Sequence, residues 1–328
     1  MNSSPVLVSV IIGTYNHKHY LSRNLQALQK QKVTHEIILV DDCSTDDTSD
    51  YVKRYFPHVK VIRQTKNQGF PAAINRGARN AHGKYLFLAN ADMEVSENYL
   101  SMLVDFLEKH REIAAVQGAI YDYEKQDKIV TTGFLFNPNG IIVSDLRYRK
   151  NVNQIHEILA GDALLVRAKA FRQINGYDEV CRFYYQDVDF GWRLWLAGYR
   201  INCLPLARMY HKGRGSVNTI VFTDALRHNL YVSIKNLDTR NVFLAIFTRL
   251  LISLIGSLIF MVRGQLNYIF GTVGAWIWVI SRLPMILKKR KQIQVSRRIS
   301  DASLKKEAGG EITFGYLRET IPIIFRRV

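Results

Sequence analysis

Asp92 ends a short apolar run, Lys84–Ala89, through the tripeptide Asn90-Ala91-Asp92. A carboxylate at a strand end can hold a hard divalent cation, and such a cation neutralises a diphosphate. An Asp there could equally close a turn or cap the helix patterned over Ser96–His110. Asp41 and Asp42 end the run Glu36–Val40, just before Ser44-Thr45-Asp46. Adjacent like charges are tolerated at a wet strand end beside a helix N-terminus, whose dipole favours anions. A carboxylate there can accept hydrogen bonds from a nucleobase or ribose, while Ser44 or Asp46 caps the next helix. Asp187, in Tyr185-Gln186-Asp187-Val188-Asp189-Phe190, falls where a helix begins. It suits an N-cap, worth about 1 kcal/mol, and also a general base on a rigid helix end that takes a proton from an incoming hydroxyl. Asp189 in the first turn would complement the helix dipole. His211, in Arg208-Met209-Tyr210-His211-Lys212-Gly213, follows a short strand and is either structural or a metal ligand.

Positioning these groups requires a particular order of elements. Val6–Ile12 is apolar and β-branched, Lys18–Gln31 has helical spacing, and Glu36–Val40 reads as a second strand. A helix is expected at about residues 46–55, a strand over Val59–Arg63, a helix from Gly69-Phe70-Pro71 to Asn80, and a strand over Lys84–Ala89. Such alternation predicts βαβ units and a parallel sheet. Ligands of open α/β sheets bind beyond the carboxyl ends of the strands. Thr14-Tyr15-Asn16, Asp41-Asp42 and Asn90-Ala91-Asp92 all fall at that edge, which predicts one site. Further on, a strand is expected over Leu159–Val166 and a helix over Ala168–Ile174.

The 328 residues carry 45 Lys and Arg against 28 Asp and Glu, a net charge of +17, and are 48% hydrophobic. That composition excludes a disordered or collagen-like chain. Cys43, Cys181 and Cys203 are odd in number and contain no CxxC pair, so a reducing, cytosolic compartment is expected rather than a disulfide framework or zinc site. Met1–Val6 lacks the basic start of a secretory signal. The charge excess sits late: residues 240–328 hold 15 basic and four acidic residues. Two apolar segments lie there, Val242–Val262 and Leu266–Leu287, of 21 and 22 residues, interrupted by Arg249 and Arg282. Each is long enough to cross a bilayer as a helix, which takes about 20 residues, and Arg263-Gly264-Gln265 between them would make a hairpin. A central arginine costs roughly 2.5–3.5 kcal/mol on insertion, so Arg249 implies a helix in the membrane interface or an arginine facing a partner. Lys288-Lys289-Arg290-Lys291 suits anionic headgroups at about 1 kcal/mol per charge. The alternative is two buried helices of a soluble subdomain. The expected division is a catalytic domain over 1–239, an apolar hairpin over 240–290, inserted or interfacial, and a basic tail over 291–328.

Taken in order along the chain, several motifs resemble the inverting glycosyltransferases of family 2, in particular the rhamnosyltransferase-like branch that builds bacterial cell-surface polysaccharides. They are Val8-Ser9-Val10-Ile11-Ile12-Gly13-Thr14-Tyr15-Asn16, Val40-Asp41-Asp42-Cys43-Ser44-Thr45-Asp46, Asn67-Gln68-Gly69-Phe70 with Asn75-Arg76-Gly77, Leu88-Ala89-Asn90-Ala91-Asp92, Gly176-Tyr177-Asp178-Glu179, Gln186-Asp187-Val188-Asp189 and His211-Lys212-Gly213. The resemblance spans roughly residues 7–236. It implies the GT-A fold, an α/β architecture with a mainly parallel Rossmann-like sheet flanked by helices, here followed by the apolar helical region. It further implies that Thr14 and Asp42 contact the nucleoside, with Tyr15, Asn16 and Asp41 beside them and Asn75 and Arg76 near the nucleotide. Asp92, after Asn90 and Ala91, would be the metal ligand, His211 would complete the Mg²⁺ or Mn²⁺ site, and Asp187 would be the base. Two positions depart from the pattern: Asn90 supplies no charged ligand, and Gln186 stands where the branch commonly has Glu.

On this reading a UDP- or dTDP-sugar lies across the strand ends, and Asp187 deprotonates an acceptor hydroxyl of a lipid-linked or growing cell-surface glycan. The expected location is the cytoplasmic face of the cell membrane. A silent nucleotide-sugar binder of the same fold is the alternative. A nucleic-acid binder is disfavoured because the charge excess surrounds apolar segments. A Rossmann dehydrogenase is disfavoured because Gly13-Thr14-Tyr15-Asn16-His17-Lys18 contains no GxGxxG.

Overall fold

The computed structural model describes residues 6–145, 153–212 and 218–312. The chain opens with β1 (Val8–Thr14), α1 (Lys18–Gln29), β2 (His35–Asp41), α2 (Thr48–Tyr55), β3 (Lys60–Arg63), α3 (Phe70–Arg79) and β4 (Tyr85–Asn90). Every residue of β1 is buried, as expected of a parallel strand covered on both faces. β1 pairs in parallel with both β2 and β4, and β2 with β3. Thr14 lies level with Asp41, and Gly13 with Asn90, so the three polar clusters share one edge. Cys43, Cys181 and Cys203 are all free.

After β5 (Met93–Val95) and α4 (Tyr99–Lys109) come β6 (Ile113–Asp122), β7 (Ile129–Thr131), β8 (Phe134–Leu135), β9 (Val143–Ser144), β10 (His156–Glu157), β11 (Leu164–Arg167), α5 (Ala168–Gln173), α6 (Gln186–Leu196) and β12 (Arg200–His211). The main sheet runs β10-β12-β6-β11-β4-β1-β2-β3, with β5 on β12 and β7 on β6. β11 is antiparallel to both of its neighbours, whereas β12 is parallel to β6. The strand expected over Leu159–Val166 is shorter than its apolar run, because the chain changes partner midway. Ile158 and Leu159 donate their N–H groups to Ile201 and Phe134, and pairing with β4 starts only at Leu164. Gly161 and Asp162 lie at that change.

Five helices follow: α7 (Thr219–Asn236), α8 (Thr239–Val262), α9 (Leu266–Ser281), α10 (Leu283–Ser296) and α11 (Asp301–Ala308). One hydrophobic cluster runs from Ile11 and Leu88 through Trp192 and Tyr231 to Ala245, Val279, Ile286 and Leu304. α8 and α9 form an antiparallel pair, with Phe260 stacked on Tyr268 at 5.0 Å and Trp276 donating to Ser253 at 3.2 Å. α8 is long and apolar enough to cross a membrane, and only 6% of its most apolar window is buried. The second expected segment is not one continuous helix. It bends by 65° between α9 and α10, where Pro284 at the start of α10 lacks the N–H that a continuing helix needs. Arg249 turns inward and donates to the Gly140 carbonyl at 3.2 Å, while the Arg282 guanidinium lies 4.7 Å from the Trp278 ring. The basic run on α10 is split as well. Lys289 pairs with Asp178, Arg290 donates to the carbonyls of Ile234 and Leu237, and Lys288 and Lys291 are exposed.

Candidate active site

Antiparallel pairing of β5 with β12 sets His211 against Met93. Asp92, immediately before β5, therefore meets the imidazole: Nε2 of His211 lies 3.1 Å from Asp92 Oδ2. Burial raises the Asp92 carboxyl's proton affinity, but the hydrogen bond and charge of His211, with His17 beyond, outweigh it and hold the group below its ordinary value. Burial pulls His211 the other way, and Asp92 with Asp162 nevertheless keeps it above the usual imidazole range. A small cavity of about 200 Å³ opens beside Asp92, lined in part by Tyr20, Arg23, Tyr123 and Lys212.

Asp187 enters the site through a strained turn. Tyr184 and Tyr185 have φ of 60° and 64°, a left-handed conformation that bulky side chains rarely adopt and that clusters at functional sites. The N-cap of α6 is Tyr185, so Asp187 lies inside the first turn and does not cap the helix. Its Oδ1 accepts from the Tyr177 hydroxyl at 3.0 Å and its Oδ2 from the Gln186 amide at 2.8 Å. Gln186, one of the two departures from the family pattern, thus donates to the neighbouring carboxylate. Burial, then the negative charge of Asp162, pushes the Asp187 carboxyl well above the usual range, against these two hydrogen bonds and one from its own backbone.

Asn75 stands behind this arrangement. It donates to the Tyr177 carbonyl and to Glu179 and accepts from the Tyr177 N–H, each at 2.9 Å. Its polar atoms face protein, so it braces the partner of Asp187. Asp189, expected only to complement the helix dipole, is fully buried. It pairs with Arg193 at 2.7 Å and Lys235 at 2.8 Å. Lys235 also bonds Asp178 at 2.6 Å, as does Lys289 of α10. A cavity of about 1220 Å³ between α3, α5 and α10 lies on this side, lined by Asn75, Arg79, Asp178 and Lys289 but by none of Asp92, Asp187 or His211.

At the other end of the edge, Asp41 is fully buried. It accepts from the Ser44 N–H at 2.8 Å and from the Ser49 hydroxyl, with Arg63 at 4.0 Å. Asp42 accepts from the Gln64 amide and the Gln68 and Gly69 N–H groups at 2.7–2.8 Å. Both carboxylates shape the loops where a nucleoside contact was expected. Asn16, at φ 56°, likewise takes the Thr45 N–H on its side-chain oxygen at 2.8 Å. Thr14 is different: its hydroxyl is buried and has no hydrogen-bond partner. Tyr15 is 40% exposed beside it. Arg76 is exposed, Ala91 is buried, and the Asn90 carbonyl accepts from Asn24 at 3.2 Å. Sequence reasoning missed Asp162, Lys235 and the bracing role of Asp178. Asp162 was passed over because it lies inside the apolar run Leu159–Val166, read as one strand.

Among the described residues no group of three or more His, Cys, Asp or Glu side chains is close enough to hold a metal by itself. A cation held by Asp92 and His211 with diphosphate oxygens needs no third protein ligand, because Mg²⁺-type sites commonly use one or two carboxylates plus phosphates.

The family model for glycosyl transferase family 2 matches residues 9–174. EpsE of Bacillus subtilis strain 168, which carries a glycosyltransferase name, is 31% identical over 212 residues, 61% of this chain and 70% of its own. The N-acetylglucosaminyl-diphospho-decaprenol L-rhamnosyltransferase of Mycobacterium tuberculosis is 25% identical over 234 residues, 62% of this chain and 76% of its own. Among solved structures, GalNAc-T7 with UDP, GalNAc and Mn²⁺ aligns with a TM-score of 0.57 at 20% identity, covering 70% of this chain and 48% of that one. Staphylococcus aureus TarS aligns at 0.53 and 20% identity, covering 73% and 41%. These neighbours share the mainly parallel GT-A sheet found here, and the family match covers half of the sequence, including the strand ends bearing Thr14, Asp42 and Asp92: the chain belongs to glycosyl transferase family 2.

Proposed function

We propose that this enzyme is an inverting transferase that moves a sugar from a nucleoside-diphosphate donor to a hydroxyl of a lipid-linked or growing cell-surface glycan. Asp187 is the general base. Its carboxylate, aimed by Tyr177 and Gln186, takes the proton of the acceptor hydroxyl as that oxygen attacks the anomeric carbon. Raised proton affinity suits the role, since a base works best when its affinity approaches that of the working pH. Asp92 and His211 would hold a divalent cation, Mg²⁺ or Mn²⁺, whose charge offsets the negative charge developing on the leaving diphosphate. Thr14 offers its unpartnered hydroxyl to the nucleoside. The single observation that carries the reading is geometric: Asp92 lies 3.1 Å from His211 at the strand-end edge, and Asp187 is aimed by Tyr177 and Gln186; the proximity of Asp162 to both His211 and Asp187 supports a shared crevice. The mycobacterial relative's name specifies a decaprenol-linked sugar, which supports a lipid-linked acceptor here. Supporting a position at the membrane are Phe243, Phe247, Leu254, Leu258, Phe270 and Ile277, all exposed on α8 and α9.

A panel of UDP-, dTDP- and GDP-sugars, scored by thermal unfolding with and without Mg²⁺ or Mn²⁺, tests the donor class. A ligand that binds only the folded state raises apparent stability. Metal-dependent protection by at least one sugar nucleotide is expected; protection by none would overturn the reading.

A further inference from the structure

Resting on the transferase reading, the geometry points to Arg227 and Arg282 as the seat of the acceptor's diphosphate, the anionic link between an isoprenoid chain and the sugar that receives the transfer. Both guanidinium groups gather on one ring: that of Arg282 lies 4.7 Å, and that of Arg227 5.7 Å, from the centroid of Trp278. Packing on an aromatic ring holds a guanidinium in place without neutralising it. Among the described residues Arg282 meets no carboxylate, and it donates to the Ser281 hydroxyl at 3.3 Å. Arg227 pairs with Asp224 through one terminal nitrogen at 2.9 Å, but its Nε is buried and has no acceptor. Asp224 therefore offsets one of the two charges, and the other is left for an anion. A buried donor left open is costly unless a ligand meets it, and the planar N–H fork of arginine suits phosphate oxygens.

The surroundings of Trp278 select the anion. α9 carries an apolar face on which Phe270, Val273, Ile277 and Ile280 are exposed. Arg282 follows directly, where the chain bends by 65° into α10. Toward α7, the Trp278 ring meets His228 edge-on with centroids 6.2 Å apart, and His228 Nδ1 lies 2.7 Å from the Phe183 carbonyl. Phe183 and Tyr184 are 47% and 41% exposed, and they lead into α6, whose first turn carries Asp187. An apolar face, two arginines, an exposed aromatic pair and a base thus follow one another. A sugar linked to a polyprenyl diphosphate has the same order: isoprenoid chain, diphosphate, sugar ring, reacting hydroxyl. An anionic phospholipid matches only the first two. Trp and Arg also anchor helices at membrane surfaces, but that role leaves the enclosed Nε of Arg227 and the link to the Phe183–Tyr184 turn unused.

The test uses the full chain in non-ionic detergent, with farnesyl diphosphate as the probe and farnesol and inorganic diphosphate as its two halves. Divalent cation is omitted, so that the probe is not held by a cation at Asp92 and His211. Calorimetry and quenching of tryptophan fluorescence report binding. Farnesyl diphosphate is expected to bind about tenfold or more tightly than either half, and Arg282→Gln and Arg227→Gln should each weaken it by about tenfold. Binding of sugar nucleotides with Mn²⁺ should be unchanged in both variants, which shows that they are folded. Undiminished binding of the probe by Arg282→Gln would overturn the assignment while leaving the transferase reading intact. Inorganic diphosphate bound as tightly as the probe would also overturn it, in favour of a soluble anion. Loss of adherence to phosphatidylglycerol vesicles, with the probe bound as in wild type, would reduce the arginines to a membrane anchor. If wild type binds no sugar nucleotide at all, the transferase reading itself falls and takes the acceptor role with it.

Discussion

Two carboxylates of the site are tuned in opposite directions by what surrounds them. Asp92, though buried, is held below its ordinary range by His211. Asp187, burdened by burial and by Asp162, is raised well above it. As the proposed base, Asp187 would work only when ionised, so the acid limb of the transfer rate should lie above the range of ordinary carboxylates. Asp162→Asn removes a nearby negative charge, favours ionised Asp187 and should move that limb to lower pH in a kcat/KM profile. Tyr177→Phe deletes a hydrogen bond to the ionised form and should move it to higher pH. An unshifted limb in both variants would show that some other group titrates. The raised value also has a stability consequence. A carboxyl raised on folding stabilises the native state fully below its unfolded pKa, about 3.9, and loses that contribution as pH rises through the folded value. At neutral pH the ionised group is thus a liability, and Asp187→Asn should unfold at the same temperature as wild type or higher.

At the scale of elements, α6 is fixed by a buried ionic network. Lys235 of α7 bonds both Asp178 and Asp189, and Lys289 of α10 reaches the same Asp178. Removing one member strands charges in the interior, which typically costs about 3–5 kcal/mol. Lys235→Ala should therefore lower the thermal midpoint sharply and transfer activity with it. Asp178 contributes in the opposite sense to Asp187. The lysines hold it well below the carboxylate range despite burial, so its stabilisation is present above the unfolded pKa and is lost only as pH falls through the depressed value. None of this network was legible in the sequence, because its members lie 57 and 111 residues apart and each reads singly as a surface charge or a cap. The parallel strands were legible: continuous β-branched runs ending at Asp or Asn put Thr14, Asp42 and Asp92 at one edge. The chain between 159 and 163 was misread because an apolar run looks the same whether its backbone pairs with one strand or changes partner. The bend at Arg282 was masked in the same way, since hydropathy continues across it while the helix axis does not.

At the scale of the whole molecule, the unusual surface is the exposed apolar face of α8 and α9. α8 and α9 leave Phe243, Phe247, Leu254, Leu258 and Phe270 exposed while Arg249 is turned inward, and exposed apolar patches of this kind mark interaction or membrane surfaces. Binding to vesicles containing anionic lipid, followed by flotation, tests the membrane position. The double change Leu254→Glu with Leu258→Glu should release the protein from vesicles. Lys288→Gln with Lys291→Gln should weaken binding by about 1 kcal/mol per charge; vesicle binding unaffected by either pair would assign this face to another partner. Such changes should leave donor binding intact, since all four side chains are exposed. The proposed mechanism turns on Asp187, and the most direct measurement is turnover by Asp187→Asn once a donor and acceptor are in hand. Donor affinity should be retained while kcat falls by about 10²–10⁴-fold; turnover near that of wild type would contradict the assignment.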